Sequence, residues 1–72
     1  MNKEQERRRI GAQITEIRKK EGISQKELAE LCGIKQGHVC RIEKGYYSFG
    51  LDALATIGEA LGVQLNYTEI KN

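Results

Sequence analysis

The sequence predicts an all-α fold of four to five short helices, followed by a short β-strand near the C-terminus. Three observations support this prediction. Apolar residues recur at intervals of three and four in successive segments, which is the period of an α-helix. Glycines follow these segments where a left-handed residue would end a helix. Ser24 and Glu27 have the S-x-x-E spacing of a capping box, which marks the start of a helix.

Length and composition limit the class of protein. A chain of 72 residues forms one small domain with a thin core, and we expect that domain to cover residues 1–72. No proline-rich or low-complexity linker is visible. No apolar run is long enough to span a bilayer, and the charged N-terminus lacks the apolar core of a secretion signal. A membrane location and secretion are therefore not expected.

The first two predicted helices lie between residues 4 and 32. In the first, over residues 4–20, Ile10, Ile14 and Ile17 share one face, and Gly22 follows its end. The second begins after the Ser24 cap and ends at residue 32, with three residues facing inward: Leu28, Ala29 and Cys32.

A third predicted helix over residues 35–44 completes a helix-turn-helix across residues 24–45. Gly33 supplies the positive φ of the sharp turn, and Gly45 ends the third helix. Val39 and Ile42 face the core, and Ile34 anchors the entry. The opposite face is mostly polar and carries Lys35, Gln36, Gly37, Cys40, Arg41 and Lys44. In a helix-turn-helix this outer face enters the DNA major groove.

A fourth helix is predicted over residues 51–61, ended by Gly62. Its broad apolar face consists of Leu51, Leu54, Ala55, Ile57, Gly58 and Leu61. Phe49, in the preceding loop, is predicted to lie in the core.

The C-terminal segment changes its period from helix to strand. Val63, Leu65 and Tyr67 alternate with polar residues, which predicts a strand over residues 63–70. Because no second strand is visible, we expect this strand to pair with its copy in a homodimer. The alternative is a tail that folds Val63 and Leu65 onto the core.

Charge is distributed unevenly along the chain. Residues 1–50 contain eleven Lys and Arg against seven Asp and Glu, whereas residues 51–72 contain one against three. The basic part coincides with the helix-turn-helix, which favours a polyanionic partner. A solvated charged surface is the alternative explanation.

The composition also argues against several chemistries. Cys32 and Cys40 match no metal or redox spacing, and we expect reduced thiols, although a disulfide remains open at this point. With one His, one Asp and two Ser on different elements, and no phosphate-binding glycine loop, an enzyme is not expected. We expect no cofactor and no metal.

Between Ile10 and about Val63 the sequence contains the pattern IG··I··IRK·EGISQ·ELAELCGI·Q··V·RIE·G followed by L··L··I··ALGV. In this pattern the chain resembles the Cro/CI-type, or XRE-like, helix-turn-helix domains of phage and bacterial repressors. The resemblance implies a lambda-repressor-like fold, double-stranded DNA as the partner, and a cytoplasmic, nucleoid-associated location in bacteria or phage-infected cells.

The resemblance also implies residue roles. Gln36 matches the main base-contacting glutamine, with an amide suited to adenine, and Arg41 suits guanine. The remaining base-contact candidates are Lys35, Gly37 and Cys40, although Gly37 replaces a side chain that often contacts a base. Candidates for phosphate contact are Gln25, His38, Lys44, Tyr46 and Tyr47. For the two tyrosines, a place in the core is an equal alternative.

One pair has a structural role in the family. Arg18 and Glu43 match residues that form a partly buried salt bridge between the first helix and the base-contacting helix. His38 is not expected to bind metal, because no ligand partners are arranged near it.

The predicted function is that of a sequence-specific DNA-binding transcriptional regulator, in the form of a dimeric repressor of a palindromic operator. Two alternatives stay open. The chain could be the antitoxin of a toxin–antitoxin pair, with a toxin as partner protein. It could also be a protein-binding scaffold, although a protein interface would more often carry apolar anchors where Lys35, Gln36 and Arg41 are exposed.

Overall fold

A computed structural model describes residues 3–46 and 50–63. These residues form four helices: α1 (Lys3–Lys20), α2 (Gln25–Cys32), α3 (Gln36–Lys44) and α4 (Leu51–Leu61). The predicted all-α class is confirmed for this part of the chain. Lys35 was placed inside the third helix but is its N-cap residue in extended conformation, so α3 begins one residue later than predicted.

Local capping interactions set the limits of α2. The Ser24 hydroxyl accepts a hydrogen bond from the Glu27 N–H at 3.0 Å, and the Glu27 carboxylate accepts one from the Ser24 N–H at 3.1 Å. The second of these bonds lowers the pKa of the Glu27 carboxyl. Gly33 then adopts φ 69°, a left-handed conformation that allows the chain to turn sharply into α3. The predicted capping box is therefore confirmed.

The core lies where the four helices meet. It contains Ile10, Ile14, Leu28, Ala29, Val39, Ile42, Leu54, Ile57 and Leu61. α3 packs against both α1 and α2, and α4 packs against α2. The predicted inward faces are confirmed at these positions, but Ala55 was wrongly placed on the apolar face of α4 and is exposed. When a helix packs against its neighbours on one side only, part of a broad apolar stripe faces solvent.

Gly11 allows α1 to lie against the backbone of α3. A Cβ atom on Gly11 would lie 2.5 Å from the Ile42 carbonyl oxygen and 2.6 Å from that of Glu43. Any side chain at this position would push the two helices apart. Gly11 therefore sets the distance between α1 and α3.

Val63 is the last described residue, and it follows the Gly62 cap at the end of α4. Its N–H donates to the Gly58 carbonyl oxygen at 2.9 Å, and its side chain packs against the core. This contact matches the folded-back alternative for Val63. Leu65 and Tyr67, the rest of the predicted strand, Phe49 and Tyr47 lie outside the described residues.

Both cysteines are free thiols, so no disulfide joins α2 and α3. Each is half-buried, and burial raises the pKa of the Cys32 thiol. A buried thiol with a raised pKa is a poor nucleophile. This agrees with the predicted packing role for Cys32.

Candidate nucleic-acid interface

The outer face of α3 is open to solvent. Lys35, Gln36, Gly37, Arg41 and Lys44 are exposed, whereas His38 and Cys40 are half-buried at the sides of this face. A Cβ atom on Gly37 would meet nothing within 4 Å, so no other part of the described chain covers the centre of the face. We call these seven residues the α3 outer face.

The charges on this face have one sign. Lys35, Arg41 and Lys44 are exposed cations, and the single acidic residue of α3, Glu43, points inward. The Glu43 side chain is only 5% exposed. A cationic helix face without an exposed carboxylate of its own attracts a polyanion.

Glu43 is the centre of a network that joins three helices. Arg18 of α1 donates to both carboxylate oxygens, from Nε at 2.7 Å and from the second terminal nitrogen at 3.2 Å. Its other terminal nitrogen donates to the Ile23 carbonyl oxygen at 2.8 Å. Two parallel bonds from a guanidinium to a carboxylate define their relative orientation. The pair expected from the resemblance thus joins α1 to the inner side of α3.

Gln25, the first residue of α2, also contacts Glu43. Its amide nitrogen donates to a Glu43 carboxylate oxygen at 3.0 Å. The network therefore ties the start of α2 to α3, and the half-buried Gln25 is held at the edge of the interface. Its contact with phosphate stays a prediction.

The surroundings of Glu43 determine its protonation state. Burial by itself would raise its pKa, but the hydrogen bonds from Arg18 and Gln25 outweigh burial and hold the pKa of Glu43 below its usual value. The carboxylate is therefore charged at neutral pH, as the two donors require.

The remaining predicted contacts lie at the C-terminal end of α3. Tyr46 is exposed beside Lys44, and it does not take the core alternative. Gly45 ends the helix with φ 76°, and the Tyr46 N–H donates to the Arg41 carbonyl oxygen at 2.9 Å. Tyr47 lies outside the described residues.

Two features of the interface were missed by the sequence analysis. One is the close approach of α1 at Gly11, and the other is the contact of Gln25 with Glu43. A signal for the first was available, because a glycine inside a helix costs about 1 kcal/mol relative to alanine and needs a reason. No sequence signal pairs Gln25 with Glu43.

Other kinds of site are not apparent in the described residues. Within residues 3–46 and 50–63, no three His, Cys, Asp or Glu side chains are grouped to hold a metal ion. None of the described helices is long and apolar enough to cross a membrane.

Four helices with an outward cationic α3 define a helix-turn-helix domain, and comparison with known proteins identifies its family. The HTH_3 helix-turn-helix family model matches residues 14–67. The chain belongs to this family.

Its relatives include regulators of bacteria and phages. The chain is 32% identical over 57 residues to an immunity repressor protein of Bacillus phage phi105, covering 79% of this chain and 40% of the repressor. The clp gene regulator ClgR of Corynebacterium glutamicum superposes with a TM-score of 0.79 at 29% identity, over 82% of this chain and 63% of ClgR. The restriction-modification controller protein C.AhdI of Aeromonas hydrophila superposes with a TM-score of 0.78 at 28% identity, over 81% of this chain and 88% of C.AhdI.

The matched lengths differ among these proteins. This chain spans two fifths of the phage repressor and less than two thirds of the ClgR chain, but most of C.AhdI. The similarity therefore covers only part of the phage repressor and of ClgR.

Proposed function

We propose that this protein is a sequence-specific DNA-binding transcriptional regulator that acts as a dimeric repressor. The observation that supports this most directly is the α3 outer face, which is exposed, cationic and held from behind by the Arg18–Glu43 pair. The family and the similarity to a phage immunity repressor and a gene regulator support the same function.

Binding begins with charge attraction. Lys35, Arg41 and Lys44 neutralise backbone phosphates and release counterions, which makes affinity fall steeply as salt rises. Once α3 lies in the major groove, the Gln36 amide pairs with adenine and the Arg41 guanidinium pairs with O6 and N7 of guanine. Lys35 and Cys40 contact neighbouring base edges, and the open space at Gly37 allows a base to approach the backbone.

Phosphate contacts position the helix without specifying sequence. Lys44 and Tyr46 are exposed at one end of α3, and Gln25 lies at the start of α2. His38 is half-buried at one side of the α3 outer face. We assign these four residues to contacts with the phosphate backbone of DNA. Tyr47 is added to them from the sequence alone.

The base and phosphate contacts are separable by mutation. Arg41→Ala is expected to weaken binding to the preferred duplex by about 1–3 kcal/mol and to relax specificity at one base pair. Lys44→Ala should weaken all duplexes alike and lower the slope of log affinity against log salt by about one. Fluorescence anisotropy titrations with a selected duplex and a scrambled one measure both effects. If both variants bind the selected duplex like the unaltered protein, α3 does not enter the groove.

Selection of bound duplexes from a random pool tests the function itself. A short motif that repeats as an inverted pair supports a sequence-specific dimer, and the expected spacing between half-sites is about 34–36 Å along the duplex. A pool without enrichment, or binding that does not respond to salt, would contradict the proposal.

Dimerisation through the C-terminal segment has its own test. A chain truncated after Gly62 is expected to be monomeric in sedimentation equilibrium, because Val63, Leu65 and Tyr67 are removed together. Val63→Ala is the matched control, since it reduces the packing against the core but keeps the predicted strand. A truncated chain that still dimerises would contradict strand pairing.

A further inference from the structure

We infer that Arg8, in the N-terminal half of α1, is a further phosphate-binding residue, and that Glu4 competes with phosphate for its guanidinium. The inference rests on the proposed DNA binding. It adds a helix that lies outside the helix-turn-helix to the interface.

Gly45 brings Arg8 to the end of α3. A Cβ atom on Gly45 would lie 2.7 Å from Cγ of Arg8 and 2.9 Å from its Cα and N atoms. The Arg8 side chain therefore begins directly on the residue that follows Lys44. Arg8 is therefore packed beside the short segment of chain that carries the exposed Lys44 and Tyr46.

The guanidinium of Arg8 is available to a ligand. It is 62% exposed and is paired with Glu4 at 2.7 Å, and the Glu4 side chain is 58% exposed. An exposed ion pair of this kind is weak, because water solvates both partners. A phosphate oxygen can replace the Glu4 carboxylate without leaving a buried charge behind.

The neighbouring arginine provides a contrast. Arg9 is paired with Glu6, but its side chain is 37% exposed and that of Glu6 only 14%. Successive side chains of a helix point about 100° apart, so the Arg9 side chain does not point toward Gly45 as that of Arg8 does. The Arg9–Glu6 pair is therefore a matched control for the Arg8–Glu4 pair, because it has the same charges at a different position.

A structural role for Arg8 is the competing explanation. A cation near the C-terminus of a helix is favourable, because the last carbonyl groups carry partial negative charge. In that role Arg8 would affect thermal stability, and it would not affect the number of counterions released on DNA binding.

The experiment compares Arg8→Gln with Arg9→Gln in the full chain, using a random-sequence 24-bp duplex at 50–200 mM KCl. Arg8→Gln is expected to weaken binding about fivefold at 0.1 M salt and to lower the salt slope by about 0.9. Arg9→Gln should change affinity less than twofold. Glu4→Gln should strengthen binding about twofold, and Glu6→Gln should not.

The outcomes separate this inference from the proposed function. If the unaltered protein binds the duplex and the Arg8 and Arg9 variants behave alike, the inference is wrong and the proposed function stands. If the unaltered protein does not bind duplex DNA at any salt, both are wrong. Arg8→Lys keeps the charge and should restore the slope. A lowered melting temperature with an unchanged slope would assign Arg8 the structural role.

Discussion

Gly11→Ala is expected to lower the free energy of unfolding by about 2 kcal/mol and the melting temperature by about 10 °C. The added Cβ would lie 2.5–2.6 Å from two carbonyl oxygens of α3, and these are backbone atoms that cannot rotate away. The loss is expected even though alanine favours a helix by about 1 kcal/mol over glycine. Thermal melting followed by circular dichroism at 222 nm measures it.

Gly37→Ala is the matched control. It makes the same substitution inside α3, where the new Cβ would meet nothing within 4 Å. We expect a gain of about 1 kcal/mol from helix propensity alone. If Gly11→Ala stabilised the protein as Gly37→Ala does, α1 and α3 would not be in close contact at Gly11.

The two glycine variants also separate stability from binding. Gly11→Ala displaces α3 relative to α1, so DNA affinity should fall for all sequences. Gly37→Ala leaves the packing unchanged and places a methyl group on the α3 outer face. It should change binding only through the bases it meets.

Glu43→Ala is expected to have the largest effect on stability, a loss of about 3–5 kcal/mol. The substitution leaves the Arg18 guanidinium without its partner in a place where that side chain is 10% exposed. It also removes the acceptor of the Gln25 amide. Urea denaturation measures the loss, and Glu4→Ala, at an exposed ion pair, is the control with an expected loss below about 1 kcal/mol.

A double variant identifies the cause of this loss. Replacing Arg18 and Glu43 together with methionine removes both charges and fills most of the space. It should cost much less than Glu43→Ala, because no uncompensated buried charge remains. If the double variant were as unstable as Glu43→Ala, the loss of stability would come from lost packing and not from the broken ion pair.

The same network makes stability depend on pH. Because the pKa of Glu43 is lower in the folded chain than its usual value of 4.5, the folded state binds the proton less readily than the unfolded state. The contribution of Glu43 is complete above the usual value and is lost as pH falls from there through the lowered pKa. The difference in stability between the unaltered protein and Glu43→Gln should therefore shrink over that acidic range and be constant near neutral pH.

Much of the helical architecture could be predicted because its signals are local. The Ser24–Glu27 box, the turn at Gly33 and the end of α3 at Gly45 each depend on residues within about four positions of one another. Apolar periodicity likewise identified the inner faces of α1 and α3. The exposed Ala55 shows the limit, because periodicity gives the width of an apolar stripe and not the part of it that a neighbouring helix covers.

The candidate site was predictable to a smaller extent. The polar pattern along the third helix was enough to identify the residues of the α3 outer face other than His38, and the resemblance paired Arg18 with Glu43. The contact of Gln25 with Glu43 and that of Arg8 with Gly45 could not be foreseen. Each joins residues far apart in the chain through the packing of whole helices.

The sequence by itself determined where the helices begin and end to within one residue, and which side of the third one is polar. These properties follow from hydrogen bonds and side-chain periods over a few residues. Only the tertiary structure decided how closely α1 lies on α3, which side chains hold Glu43, and that the end of α3 meets Arg8. Those contacts depend on the distances between packed helices, and a distance across 18 to 37 residues of chain is set by the whole core.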